Sequence, residues 1–117
     1  MDKVYEVALL LDFYGQLLTK RQFEILDLHY NNDYSLGEIA EFLNISRQGV
    51  HDNIKRGKAT LNHMEEKLGL VDKFTKHKNV AERILKHIRN INRSNMSPED
   101  TENLRKVEEG ITEIIEN

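Results

Sequence analysis

The sequence predicts an all-α fold, on three observations. Apolar residues recur at three- and four-residue spacing in successive segments of the chain. Thr19 with Gln22, and Ser35 with Glu38, carry the pattern of a capping box, in which each side chain satisfies an orphan amide at a helix start. Between two helical runs lies Asn44-Ile45-Ser46. It joins a residue that tolerates the left-handed conformation, an apolar anchor and a further N-cap oxygen.

At 117 residues the chain suits one domain, or one domain with an appendage, around a modest core. Apolar residues make up 38% and charged residues 32%, the balance of a soluble globular protein. Cys is absent, which excludes a disulfide framework and thiolate metal sites and fits a cytoplasmic location. The apolar opening is broken by Asp2, Lys3, Glu6 and Asp12, so it reads as neither a signal peptide nor a membrane span.

The net charge of −3 hides an asymmetry. Residues 1–46 hold three Lys/Arg against eight Asp/Glu, and residues 47–72 five against four. Residues 73–96 hold seven against one, and residues 97–117 two against seven. An acidic chain can still bind a polyanion through one basic face, because screening lets the local field decide.

Residues 2–15 form a helix that Gly15 ends. Its apolar residues nearly circle the axis, so it needs burial on more than one side. Either it sits centrally or part of it faces a second subunit, and a homodimer is expected. Thr19 starts a second helix whose buried face is Phe23, Ile25, Leu26, Leu28 and Tyr30, closed by the turn cluster Asn31-Asn32-Asp33.

From Ser35 to Leu61 the pattern is a helix-turn-helix with a lengthened second helix; a hairpin that is merely polar on one side is the plainer alternative. Ile39, Ala40 and Leu43 share one face, and Val50, Ile54 and Leu61 point back toward it. Arg47, Gln48, His51, Asp52, Lys55 and Lys58 remain outside. In a recognition helix, such N-terminal residues reach base edges, while exposed amides and Ser46 meet a phosphate.

Residues 56–68 continue this helix, with Leu61, Met64 and Leu68 keeping the apolar stripe. Gly57 costs about 1 kcal/mol relative to Ala inside a helix, so close backbone packing is predicted there. Gly69 reads as a stop, and residues 70–78 as a basic connector anchored by Leu70, Val71 and Phe74. Residues 79–92 read as an amphipathic helix capped by Asn79, burying Val80, Ile84, Leu85, Ile88 and Ile91. A second basic surface gathers Lys73, Lys76, Lys78, Lys86, Arg89 and Arg93, either as a solvated face or as one that meets RNA or phosphate.

Ser97-Pro98-Glu99-Asp100 starts the last helix. Its Leu104, Val107, Ile111, Ile114 and Ile115 form a seam for another helix, in this chain or in a partner. The expected division is a helix-turn-helix domain over 1–75, with its core at 35–61, and a C-terminal helical extension over 76–117.

The wording of LTKRQFEILDLHY followed by SLGEIAEFLNISRQGV resembles promoter-recognising region 4 of bacterial sigma factors. With FYGQLLTKRQ before it and SRQGVHDNIKRGKATL at its end, the chain resembles the YlxM family over residues 4–75, and more loosely in the tail. These are small bacterial helix-turn-helix proteins encoded beside the gene of the signal recognition particle (SRP) GTPase. The resemblance implies a sigma-region-4-like fold and a regulatory role in the SRP pathway. It implies nucleic acid (DNA or SRP RNA) as partner, and the SRP GTPase. Carried across, Arg47, Gln48 and His51 take base-reading positions, while Ser46 and Lys55 face phosphate; Lys58 completes the set. Gly49, where a long side chain is usual, and the negative charge of Asp52 depart from the pattern. Asp52 either accepts from a cytosine amine or repels phosphate.

Chemistry is not indicated. The five His, at 29, 51, 63, 77 and 87, lack metal-ligand spacing, and no metal or cofactor is expected. His29, between Leu28 and Tyr30, reads as an ordinary packed or surface histidine. Ser35, Ser46 and Ser97 are helix caps, and Glu65 and Glu66 face different ways, so no activated nucleophile or acid–base pair emerges. The chain reads as a binding protein, not an enzyme. The first reading is a DNA-reading regulator. The alternative is an SRP-associated module binding the GTPase or its RNA without sequence-specific DNA recognition.

Overall fold

A computed structural model describes residues 3–116, so Met1, Asp2 and Asn117 lie outside the account. The fold is all-α, with six α-helices among the described residues. They are α1 (Lys3–Tyr14), α2 (Lys20–Leu26), α3 (Leu36–Leu43), α4 (Arg47–Leu68), α5 (Leu70–Arg89) and α6 (Pro98–Glu116). The chain divides into two compact units, Met1–Val71 and Asp72–Asn117. No described helix is long and apolar enough to cross a membrane.

The first unit is held by two buried clusters. Leu10, Leu11 and Tyr14 of α1 meet Leu26, Leu61 and Val71 in one. Ile25, Ile39, Ala40 and Val50 form the other, with Ile54 packed against both. The close packing predicted at Gly57 is present: a Cβ there would lie 2.7 Å from Leu26 Cδ1. Bare backbone at that point lets α4 lie tightly on α2.

The first α-helix ends at Tyr14, immediately before Gly15, as expected, and the chain then tightens into a 3₁₀ turn over Gly15–Leu17. A Cβ at Gly15 would sit 2.8 Å from the Phe23 ring, so the glycine serves packing. Phe23 itself is 41% exposed, because Ile25 and Leu26 take the inward positions of α2.

The end of α2 widens into a π turn over Asp27–Asn31. The Tyr34 amide bonds back to the Leu28 carbonyl at 3.0 Å. His29 Nδ1 lies 2.7 Å from the Tyr34 carbonyl, which can only accept, so this nitrogen carries the proton. Of the two readings of His29 the packed one holds, and the side chain closes the turn.

Both capping boxes form. Thr19 Oγ1 accepts from the Gln22 amide at 3.1 Å, and Ser35 Oγ from the Glu38 amide at 3.0 Å. The Ser35 amide, donating to Glu38 at 2.9 Å, holds that carboxyl below its ordinary value. This contribution to the α3 start is present above the unfolded carboxylate range and lost as pH falls through the depressed folded value. Ser35→Ala is expected to lower stability by about 1 kcal/mol in urea denaturation. Asn44 turns the chain at φ 55°, ψ 50°, and Ser46 caps α4 through the Gly49 amide at 2.9 Å.

The junction after α4 is where local reading fails. Gly69 is left-handed (φ 62°) and closes α4, but α5 begins at once, so residues 70–78 are helical. Asn79 is therefore interior to α5 and caps nothing. Tertiary partners start the helix instead: Tyr14 Oη accepts from the Leu70 amide at 3.0 Å, and Glu65 Oε1 from the Val71 amide at 3.0 Å. Leu68, expected in the stripe, is exposed.

In the second unit, Ala81 and Leu85 are buried while Val80, Ile84 and Ile91 are exposed, so the inner face of α5 is narrower than the predicted stripe. Ser97 Oγ caps α6 through the Asp100 amide at 3.1 Å. Along α6, Leu104, Ile111 and Ile115 are half-buried and Val107 and Ile114 are exposed.

Candidate nucleic-acid interface

The first three turns of α4 carry the candidate surface. At 100° per residue, Arg47, Gln48, His51, Lys55 and Lys58 fall within about 100° of arc. Val50, Gly57 and Leu61, centred about 110° round the helix from the middle of that arc, are buried; Lys58 is half-buried and the other four are exposed. Ser46, at the N-cap, accepts from the Gly49 amide and keeps its own O–H to donate.

Each outer side chain has a definite setting. Arg47 lies against the first turn of α3, where a Cβ on Gly37 would stand 2.8 Å from Arg47 Nη2. Gly37 therefore provides the seat for the guanidinium. Gln48 Nε2 donates to Asp52 Oδ1 at 3.0 Å, and His51 Nδ1 is 3.9 Å from the same oxygen. Asp52 is thus engaged by its own helix neighbours. Gly49, the other departure from the sigma pattern, places its carbonyl 2.8 Å from the Asn53 amide nitrogen, which donates to it.

Further along, His51, Ile54, Lys55, Lys58, Ala59 and Asn62 line a shallow groove of about 480 Å³. Lys58 Nζ stands 5.9 Å from the Tyr30 ring centroid, at the reach of a cation–π contact between α4 and the π turn. Asn62 was not singled out in the sequence, although its spacing of four from Lys58 and seven from Lys55 puts it on that side. Nearby, Phe42 is 64% exposed and meets Tyr34 edge-on at 5.9 Å.

The second basic set is less uniform. Lys73, Lys76, Lys86 and Arg89 are exposed on α5, while Lys78 is half-buried. Lys76 pairs with Asp72 at 3.0 Å. Arg93 lies past the end of α5, bonding the Ile88 carbonyl and the Glu108 carboxylate, so its charge is balanced within the chain. Arg83, absent from the sequence-based set, lines a groove of about 710 Å³ with Lys76, Asn79, Val80 and Lys86. Its spacing of seven from Lys76 is the signal that finds it.

Among the described residues no three metal-ligating side chains converge. Tyr14 and Glu65 are the polar pair that sequence reasoning missed. Tyr14 Oη donates to Glu65 Oε1 at 2.6 Å, across 51 positions of chain. Burial, then the Glu65 carboxylate, pushes the Tyr14 phenol above its ordinary value. Their role is at the α4–α5 junction, away from the outer face of α4.

Comparison with known proteins places this architecture. A family model described as "Putative helix-turn-helix protein, YlxM / p13 like" (UPF0122) matches residues 1–102. A UPF0122 protein of Acetivibrio thermocellus is 73% identical over 117 residues, the whole of both chains. One from Thermoanaerobacter sp. is 45% identical over 113 residues, 97% of each chain. One from Limosilactobacillus reuteri is 46% identical over 89 residues, 76% of this chain and 79% of its own. This is a helix-turn-helix family and not a known enzyme family. The chain belongs to the UPF0122 family of YlxM-like helix-turn-helix proteins.

Proposed function

We propose that this protein is a cytoplasmic, non-enzymatic regulator that binds nucleic acid through the N-terminal half of α4 and acts in the SRP pathway. One observation carries the binding: the sigma-type contact positions Arg47, Gln48, His51 and Lys55 lie on the exposed side of a helix whose other side is locked into the core. Arg47, Gln48 and His51 read base edges, and Ser46, Lys55 and Lys58 hold the backbone. The charge of Lys55 and Lys58 supplies the salt-sensitive part of affinity. The pathway follows from the YlxM resemblance, whose genes neighbour that of the SRP GTPase. A homodimer agrees with the apolar surplus of α1 and of the C-terminal helices.

Arg47→Ala is expected to weaken DNA binding by about 1–3 kcal/mol and to relax preference at the base it reads. Lys55→Ala should weaken all sequences alike and reduce the salt slope by about one. Fluorescence anisotropy across a salt series measures both. Unchanged affinity in the Arg47 variant removes base reading from this surface.

Two features favour the second reading, an SRP-associated module without sequence-specific DNA recognition. The Gln48–Asp52 bond occupies a reading side chain, and residues 1–46 carry eight acids. Capture of partners from native lysate, with and without nuclease, separates the readings. Recovery of the SRP RNA or its GTPase supports the second. Recovery of defined DNA segments supports the first.

A further inference from the structure

We infer that the exposed faces of α5 and α6 pair with the same faces of a second copy, the basic face of one chain on the acidic face of the other. This deepens the homodimer reading above and does not depend on nucleic-acid binding.

The Asp72–Asn117 unit is short of buried surface. Among its described residues only Ala81 and Leu85 are buried, and α6 buries none. Helices of this length draw most of their stability from a packed apolar face. Units of about 40 residues usually need disulfides, metal or oligomerisation to persist. Cys is absent, which leaves association.

Both helices present a seam. On α5, His77, Val80, Ile84 and His87 are spaced three, four and three apart and all are exposed, Val80 and Ile84 at 41% and 42%. On α6, Asn103, Val107, Gly110 and Ile114 are spaced four, three and four apart, with Val107 and Ile114 48% and 54% exposed. This is the spacing by which one helix seats another, and a lone Asn in such a seam fixes register.

The flanks select the occupant. Lys76 and Arg83 run beside the α5 seam, in a groove that Glu82 also lines, and Lys76 pairs with Asp72 at 3.0 Å. Beside the α6 seam run Glu99, Asp100 and Glu113, with Lys106 the one opposite charge among them. Residues 73–96 hold seven Lys/Arg against one acid, and residues 97–117 two against seven. Each face thus finds its complement on the other helix of an identical chain, and a two-fold axis satisfies both at once. Polyanions match only the first face.

Gly110 adds a separate argument. Inside a helix it is destabilising relative to Ala. Yet a Cβ at this position would meet nothing within 4 Å in its own chain. A second helix crossing at Gly110 gives the missing side chain a purpose, since it lets the two backbones approach.

Sedimentation velocity on the full chain without nucleic acid tests the pairing. Wild type is expected to be dimeric at about 100 μM. Ile84→Glu should be monomeric at the same concentration with its helical circular dichroism retained. Arg83→Glu, an exposed change that leaves folding intact, should weaken the dimer about tenfold. Gly110→Ala decides by sign: on a bare helix it raises the melting temperature, whereas under a partner helix it weakens association. A monomeric wild type overturns the inference. So does a dimer indifferent to Ile84→Glu, or a Gly110→Ala chain that melts higher with association unchanged.

Discussion

Leu26→Ala is expected to destabilise the first unit by about 2–5 kcal/mol, measured by urea denaturation. Leu26 is fully buried, touches the α1 cluster and Leu61, and fills the space over Gly57. Its removal deletes apolar burial and leaves a cavity that helices crossing at a glycine cannot readily close. The reciprocal change, Gly57→Ala, adds a methyl 2.7 Å from Leu26 Cδ1. Overpacking costs about 1–3 kcal/mol, offset by about 1 kcal/mol of helix propensity. The double variant should therefore be more stable than the sum of the singles implies, because the new methyl enters the space Leu26 vacates. Strict additivity would mean that the two residues do not share one packing site.

Glu65→Leu is expected to cost about 2–4 kcal/mol. One carboxylate oxygen receives both the Tyr14 hydroxyl and the Val71 amide, so its loss orphans a buried donor and uncaps α5. Tyr14→Phe should cost less, about 1–2 kcal/mol, since Glu65 still accepts from Val71. The pair also sets an alkaline limit. Burial, reinforced by Glu65, raises the folded Tyr14 pKa above its unfolded value near 10. The phenol's contribution is then fully present below the unfolded value and is lost as pH rises through the folded one. Melting temperature should fall with rising pH above about 10 in wild type and much less in Tyr14→Phe. Equal alkaline profiles would show that Tyr14 ionises freely.

The helix-turn-helix was legible because each of its signals is local. Thr19, Ser35 and Ser46 bond amides three residues on, and Asn44 turns within its own dihedrals. Gly57 was legible too, since a helical glycine between apolar positions implies a crossing. Gly15 marked the end of α1, though it also serves the Phe23 ring; Asn79 misled, because it sits inside a helix begun nine residues earlier. For the candidate surface, spacing marked Ser46, Arg47, Gln48, His51, Lys55 and Lys58 as one face. Only coordinates reveal that Gly37 seats Arg47 and that Asp52 engages Gln48.

By itself, then, the sequence determined the helix class, the turn between α3 and α4, the outward residues of α4 and the family to which the chain belongs. Those properties reside in period, caps and motif wording, all written within a few residues of one another. The tertiary structure alone decided where α5 begins and which of its apolar residues face inward. The groups that settle the first, Tyr14 and Glu65, lie far apart in the chain and meet only when α1 packs on α4.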